Sequence, residues 1–196
     1  MALAKRFGTP LFVVSENHLR SNLRRYKNTF ARCWPEGDVR IMPAIKASPI
    51  LAIRRVLTDE GCGCDVFGSG ELEGALRGGV EPQSISVNGS IKDRNIISRA
   101  IEIGARIVLD SPQELELCQQ EAEKLGKVVQ VMFRIKPFME ELETTSDFMP
   151  EASIRELTQM IKYGIPTSEL LPMGPRAIEL AHVNPIGIHV HMGRHS

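Results

Sequence analysis

From Val39 to His191 the chain alternates short β-branched runs with amphipathic helical runs, and this alternation constrains the fold more than any other feature. Six strands are expected, at Val39–Ala47, Gly61–Phe67, Ser84–Asn88, Arg106–Leu109, Val128–Ile135 and Pro185–His191. The intervening spacing predicts helices over Pro49–Asp59, Glu71–Arg77, Lys92–Ile103 and Pro112–Leu125, with two more at Ile154–Tyr163 and Pro175–Ala181 before the last strand. Ser111-Pro112-Gln113-Glu114 reads as a capping box with proline in the first turn, and Gly78-Gly79, Gly104 and Gly126 read as helix stops. Strand–helix units in this order build a parallel sheet. Upstream, Leu11–Val14 reads as a short strand. Ser15 then caps a helix to Phe30, with Leu19, Leu23, Tyr26 and Phe30 at helical spacing. Phe138–Met149 is acidic and rich in Thr and Ser, and reads as a loop or lid.

The strand parities decide between a barrel and a doubly wound sheet. One parity is almost wholly aliphatic: Ile41, Ile45, Ile85, Val87, Ile107, Leu109, Val129, Val131, Ile186, Ile188 and Val190. The other is small or polar, and its last members are Lys46, Asp65, Asn88, Asp110, Arg134, His189 and His191. A doubly wound sheet packs helices on both faces and needs both apolar. A sheet with one polar face and functional groups at the C-terminal strand ends fits the N-terminal portion of an α/β (β/α)8 TIM-type barrel, six strands of which are present.

Lys46 is the oddest of these residues. A lysine at the end of a buried strand is poorly placed for solvation and well placed to react with a carbonyl, because desolvation favours its neutral, nucleophilic form. Each strand-end residue also has a structural reading. Lys46 fits a solvated end, Asp65 a loop cap, Arg134 an ion pair, and either histidine a hydrogen-bonded core residue. The H-x-H pair could bind zinc, but no carboxylate at ligand spacing supports a metal.

Composition excludes little else. The 24 basic and 24 acidic residues cancel, giving no electrostatic argument for nucleic acid or a membrane surface. No apolar run approaches the ~20 residues that span a bilayer, and Met1–Phe7 lacks the apolar core of a signal peptide. The four cysteines, Cys33, Cys62, Cys64 and Cys118, match no paired zinc spacing and read as free thiols of a cytoplasmic protein.

The motifs P-A-I-K-A-S, G-C-G-C-D-V-F-G-S-G-E-L, V-N-G-S-I-K, V-L-D-S-P-Q-E-L, F-R-I-K-P and G-I-H-V-H-M-G, in that order, carry a resemblance. Together they resemble the N-terminal barrel of the alanine-racemase-like, fold type III pyridoxal-phosphate decarboxylases, the diaminopimelate decarboxylases being the nearest branch. The resemblance implies pyridoxal 5'-phosphate as cofactor, with Lys46 as its covalent anchor, His191 stacked on its ring, and Asp65 and Arg134 in its pocket. It implies an amino-acid substrate, loss of the α-carboxylate with its electrons taken up by the ring, and a homodimer. A racemase or carrier of the same superfamily, or a half-barrel that only associates with a partner, are the alternatives.

The chain departs from the family pattern in places. Arg194 follows Gly193 where the family has Ser. Gly68 stands where a Ser is typical, with Ser69 next, and Pro43 replaces an aromatic residue. The resemblance also implies a phosphate-binding glycine-rich loop, an acid facing the pyridine nitrogen and a second, β-rich domain. None of these is found in residues 1–196, so the chain is expected to be a partial barrel domain of a longer enzyme.

Overall fold

The computed structural model describes residues 2–136, 145–146, 149–153 and 163–191. A short helix, α1 (Ala2–Phe7), precedes α2 (Glu16–Cys33), whose Ser15 cap accepts a hydrogen bond from the His18 amide. Then follow α3 (Leu51–Asp59), β1 (Cys64–Val66), α4 (Ser69–Arg77), β2 (Ile85–Val87), α5 (Arg94–Ile103), β3 (Arg106–Leu109), α6 (Pro112–Lys124) and β4 (Val129–Ile135). A ribbon of β5 (Thr145–Ser146) and β6 (Met149–Ser153), then α7 (Thr167–Glu179) and β7 (Val183–Val190), complete the order.

Five strands form one parallel sheet in the order β1-β2-β3-β4-β7. The expected aliphatic parity is where the core lies. Ile85, Val87, Ile107, Leu109 and Val131 are fully buried against Leu72 and Ala75 of α4, Ile97 and Ala100 of α5, and Leu115 and Cys118 of α6. Each such aliphatic side chain removed from water contributes roughly 1.5–3 kcal/mol. β7 departs from this pattern: Ile186, Ile188 and Val190 are exposed. Among the described residues that strand pairs with β4 alone; α6 and α7 pack against it and bury Val183, and a register shift between Val131 and Met132 leaves Ile186 without a partner on β4.

The expected lysine strand is not a strand. Residues 41–44 run beside β1, where the Gly63 amide donates to Ile41 O at 2.9 Å and Ala44 bridges Asp65 in parallel. Pro43 has no N–H to give to a ladder, and the chain then tightens into a 3-10 turn at Ile45–Ala47. The close approach of the two segments requires glycine at position 63, where a Cβ would meet Ser84 O at 2.5 Å and Met42 Cγ at 2.9 Å. The expected strand at Leu11–Val14 is also absent: the segment is irregular, pairs with no strand among the described residues, and leaves Phe12 almost wholly exposed.

Two further expectations shift. The last helix begins at Thr167 rather than Pro175 and holds Pro172 and Pro175 inside it. Each interior proline costs about 3 kcal/mol, and the helix buries Met173 and Ala177, four residues apart on one face, against the core. The segment expected as a loop contains, where it is described, the antiparallel pair β5–β6. The helix expected at Ile154–Tyr163 lies outside the described residues apart from Tyr163, as do Gly193, Arg194 and Ser196.

Candidate functional site

The C-terminal ends of the strands gather a polar network whose centre is Asn88. It follows β2 directly, and its amide N–H donates to Val66 O at 2.7 Å. Its side chain is buried and uses all of its strong bonding capacity. Oδ1 accepts from the Gly89 amide at 2.9 Å and from Arg134 Nη1 at 3.4 Å. Nδ2 faces Asp65 Oδ1 at 3.4 Å and His189 Nε2 at 3.2 Å. Three strand ends, from β1, β4 and β7, are thereby tied to a fourth.

Arg134 is buried and shared. Its Nε lies 3.7 Å from Asp110 Oδ1, and its guanidinium sits 4.8 Å from the Tyr163 ring. Asp110 Oδ1 also accepts from the Gly164 amide at 3.0 Å. Gly164, at φ +87°, lies so close to β4 that a Cβ would sit 3.1–3.2 Å from the backbone of Ile135 and Lys136. The ion-pair reading of Arg134 thus describes its contacts here.

Lys46 projects from the 3-10 turn, exposed, with Nζ 4.8 Å from the centre of the Phe67 ring. The Phe67 amide is fixed by Glu71, whose Oε2 accepts from it at 2.8 Å. Burial pushes the Asp65 carboxyl up; the Asn88 hydrogen bond and the Lys46 and Arg134 charges oppose this, while Glu71 adds to it. Burial pushes His189 down, helped by Arg134 and His191 and opposed by Asp110. His191 is one residue past β7 and exposed.

Of the four residues first proposed for the site, Asp65 and Arg134 join one hydrogen-bonded network through Asn88. Lys46 reaches it through charge on Asp65, and His191 through charge on His189. The parity reading had gathered Asn88 and His189 among the strand ends without giving them a role in the site. Lys92 and Glu114, read as a helix start and a capping-box residue, were given no part in the site. The Lys92 ammonium lies 2.8 Å from Glu114 Oε2, with its side chain fully buried, and also donates to Gly89 O. The same Glu114 oxygen accepts from the Asp110 amide at 2.8 Å. The expected capping box is therefore half right: Ser111 caps Glu114, but the glutamate reaches past the cap to Asp110 and serves a lysine as well. The signal was a lysine inside the otherwise loop-like V-N-G-S-I-K.

Among the described residues no cluster of His, Cys, Asp and Glu is arranged to hold a metal ion. The donor set does suit an organic ligand. It offers an accessible primary amine, a carboxyl that burial pushes up, and a buried ring nitrogen, His189 Nδ1, without a partner among the described residues. A half-barrel with an amine and a polar network at its strand ends defines a class: a (β/α)-barrel protein whose site sits at the C-terminal rim.

The comparisons with known proteins narrow that class. Residues 16–196 match the family described as "Pyridoxal-dependent decarboxylase, pyridoxal binding domain", and the chain belongs to that family. It is 35% identical over 197 residues to the diaminopimelate decarboxylase of Methanocaldococcus jannaschii, covering 97% of this chain and 43% of that protein. The diaminopimelate decarboxylase of Archaeoglobus fulgidus is 32% identical over 191 residues, with 97% and 42% covered. The crystal structure of the M. jannaschii enzyme in co-complex with L-lysine superimposes with a TM-score of 0.87 at 34% identity, covering 98% of this chain and 44% of that one. A lysine/ornithine decarboxylase from Vibrio vulnificus, complexed with putrescine, shares the fold at a TM-score of 0.74 and 22% identity. The chain thus spans less than half the length of the curated relatives it matches. These solved neighbours support the N-terminal part of the expected barrel.

Proposed function

We propose that residues 1–196 are the partial-barrel, pyridoxal-phosphate-binding portion of a diaminopimelate decarboxylase-like carboxy-lyase. The activity is proposed for a protein of the relatives' full length, with a further β-rich domain, a cytoplasmic location and a homodimeric state as in the sequence reading. In this reading the substrate is a small amino acid carrying a second charged group, as diaminopimelate, ornithine and lysine do. The observation that carries it is the placement of the Lys46 amine at the rim of a network joining Asp65, Asn88, Arg134 and His189.

Each residue has a task in this reading. Lys46 Nζ is the covalent anchor, held over Phe67 and open to a carbonyl. Asp65, pushed up by burial against the opposing Asn88 hydrogen bond and Lys46 charge, supplies the acidic group beside that amine. Arg134 and Asn88 orient Asp65 and His189, and His191 would help to hold the cofactor's ring. The cofactor, when bound, supplies the electron sink for the bond that breaks at Cα. Water reaches Lys46 in this chain, so the low-dielectric setting that favours a neutral amine requires the ligand or further protein to cover it.

The test uses the full-length protein with added pyridoxal 5'-phosphate. A visible absorption band should appear, and borohydride should convert it to an irreversible mass increase on the Lys46 peptide. Lys46→Ala should abolish both. Release of CO2 is then compared among diaminopimelate, lysine, ornithine and arginine. A full-length protein that shows no such band overturns the reading. Racemisation without CO2 release replaces the decarboxylase by a racemase.

A further inference from the structure

The Asn88 side chain has only one orientation that serves its neighbours. The Gly89 amide and the Arg134 guanidinium can only donate, so the amide oxygen must face them. The Asp65 carboxylate accepts, so Nδ2 must face Asp65. The second Nδ2 hydrogen is then directed at His189 Nε2, 3.2 Å away. A nitrogen that accepts a hydrogen bond carries no proton, which leaves the His189 proton on Nδ1. Nδ1 is buried and has no partner among the described residues. A buried donor left unpaired is destabilising, and such groups in native structures mark functional positions or an absent acceptor.

We propose that Asn88 is a positioning residue that fixes His189 as the neutral Nδ1–H tautomer. His189 Nδ1 thereby becomes the donor for an anionic oxygen of the bound ligand. A tautomer free to exchange would present a donor or an acceptor at Nδ1 by turns; the Asn88 amide, itself pinned by three neighbours, removes that choice. The arrangement recognises an acceptor such as a phenolate or a carboxylate and disfavours an amine at the same place. Only the identity of the acceptor rests on the cofactor reading above; the tautomer rests on the hydrogen-bond geometry alone.

The tautomer is read by long-range 1H–15N correlation NMR of the 15N-labelled protein without ligand. The other four histidines are assigned by single substitutions, so His189 and the side chains hydrogen-bonded to Asn88 stay unchanged. The expected result is a neutral His189 ring with its proton on Nδ1. A proton on Nε2, or a charged ring at neutral pH, overturns the proposal without recourse to any variant. In Asn88→Asp a carboxylate can only accept, and His189 should switch to the Nε2–H tautomer; retention of Nδ1–H removes Asn88 from the role.

Pyridoxal 5'-phosphate, its 3-deoxy analogue and L-lysine then identify the acceptor. Movement of the His189 Nδ1–H signal with the first but not the second assigns the phenolate, and movement with lysine assigns a carboxylate. Loss of this charge-assisted bond in Asn88→Asp should weaken binding of the responding ligand by about tenfold or more. If the cofactor binds, by its absorption, and neither ligand moves the signal, the donor role is overturned. If the cofactor fails to bind at all, the cofactor reading falls while the tautomer result stands.

Discussion

The Lys92 ammonium and the Glu114 carboxylate form an ion pair 2.8 Å long that spans from the loop after β2 to the first turn of α6. Lys92 Nζ also donates to Gly89 O, and Glu114 also accepts the Asp110 amide. The pair thus braces both loops that carry the site, one next to Asn88 and one at Asp110. Removing one partner leaves the other charge buried and uncompensated. Glu114→Gln should lower stability by about 3–5 kcal/mol in urea denaturation. Lys92→Met combined with Glu114→Leu should recover much of that loss. A single substitution with an unchanged midpoint would show that the pair carries no such strain.

Arg54 presents the opposite situation. It is almost wholly buried beside the Cys64 thiol, yet Nε and Nη2 have no nitrogen or oxygen partner among the described residues, and Nη1 reaches Pro43 O only at 3.4 Å. The charge is poorly compensated, so Arg54→Met, which keeps most of the volume, should be neutral or stabilising by about 1–2 kcal/mol. Thermal melting of the two proteins checks this; a loss of more than 2 kcal/mol would mean the guanidinium has a partner that the geometry does not reveal.

Acid should loosen the contact between α2 and α3. Bonds from Arg24 and then Arg20 hold the Glu60 carboxyl at about 2, against an ordinary value of 4.5. The folded pKa is depressed, so the unfolded chain binds the proton more readily, and stability falls as pH falls. The contribution is complete above 4.5 and disappears as pH drops through about 2. Denaturation midpoints followed across that window should fall less steeply in Glu60→Gln than in the parent. Identical slopes would remove Glu60 from the account.

Gly63→Ala tests the seam between the lysine segment and β1. The added methyl would stand 2.5 Å from Ser84 O, which is backbone and cannot rotate away. Overpacking of this kind costs about 1–3 kcal/mol. The same shift should slow covalent capture of pyridoxal 5'-phosphate at Lys46, read as the rate of borohydride-trapped adduct. An unperturbed melting temperature with an unperturbed rate would contradict the close approach.

Thiol reactivity should separate the cysteines. Cys33 is exposed, whereas Cys62, Cys64 and Cys118 are buried. Burial pushes the Cys118 thiol up to about 12. A chromogenic disulfide should react rapidly with one thiol per native chain, and with all four only after denaturation. Fast reaction at Cys62 or Cys64 would show that the start of β1 opens.

Local chemistry made most elements legible. Ser15, Asp93 and Ser111 cap their helices through side-chain bonds within three residues, and Gly104 ends α5 in the left-handed conformation that its lack of a Cβ permits. Such signals act over one turn, so the order of residues suffices to read them. The two-residue parity of the strands likewise exposed the polar inner face, and with it Lys46, Asp65, Asn88, Arg134, His189 and His191.

What the sequence determined by itself was therefore the alternation of βα units, the division of each strand into core and site faces, and the residue types at the strand ends. Tertiary structure decided the rest. Pro43 denied the lysine segment a ladder bond, so Lys46 stands on a turn rather than a strand. The register of β1, β2, β4 and β7 brought Asn88 within reach of Asp65, Arg134 and His189, 101 residues away in the last case. No local rule encodes a hydrogen bond across that separation. It exists because four strands share one sheet, and their common direction delivers their last side chains to one place.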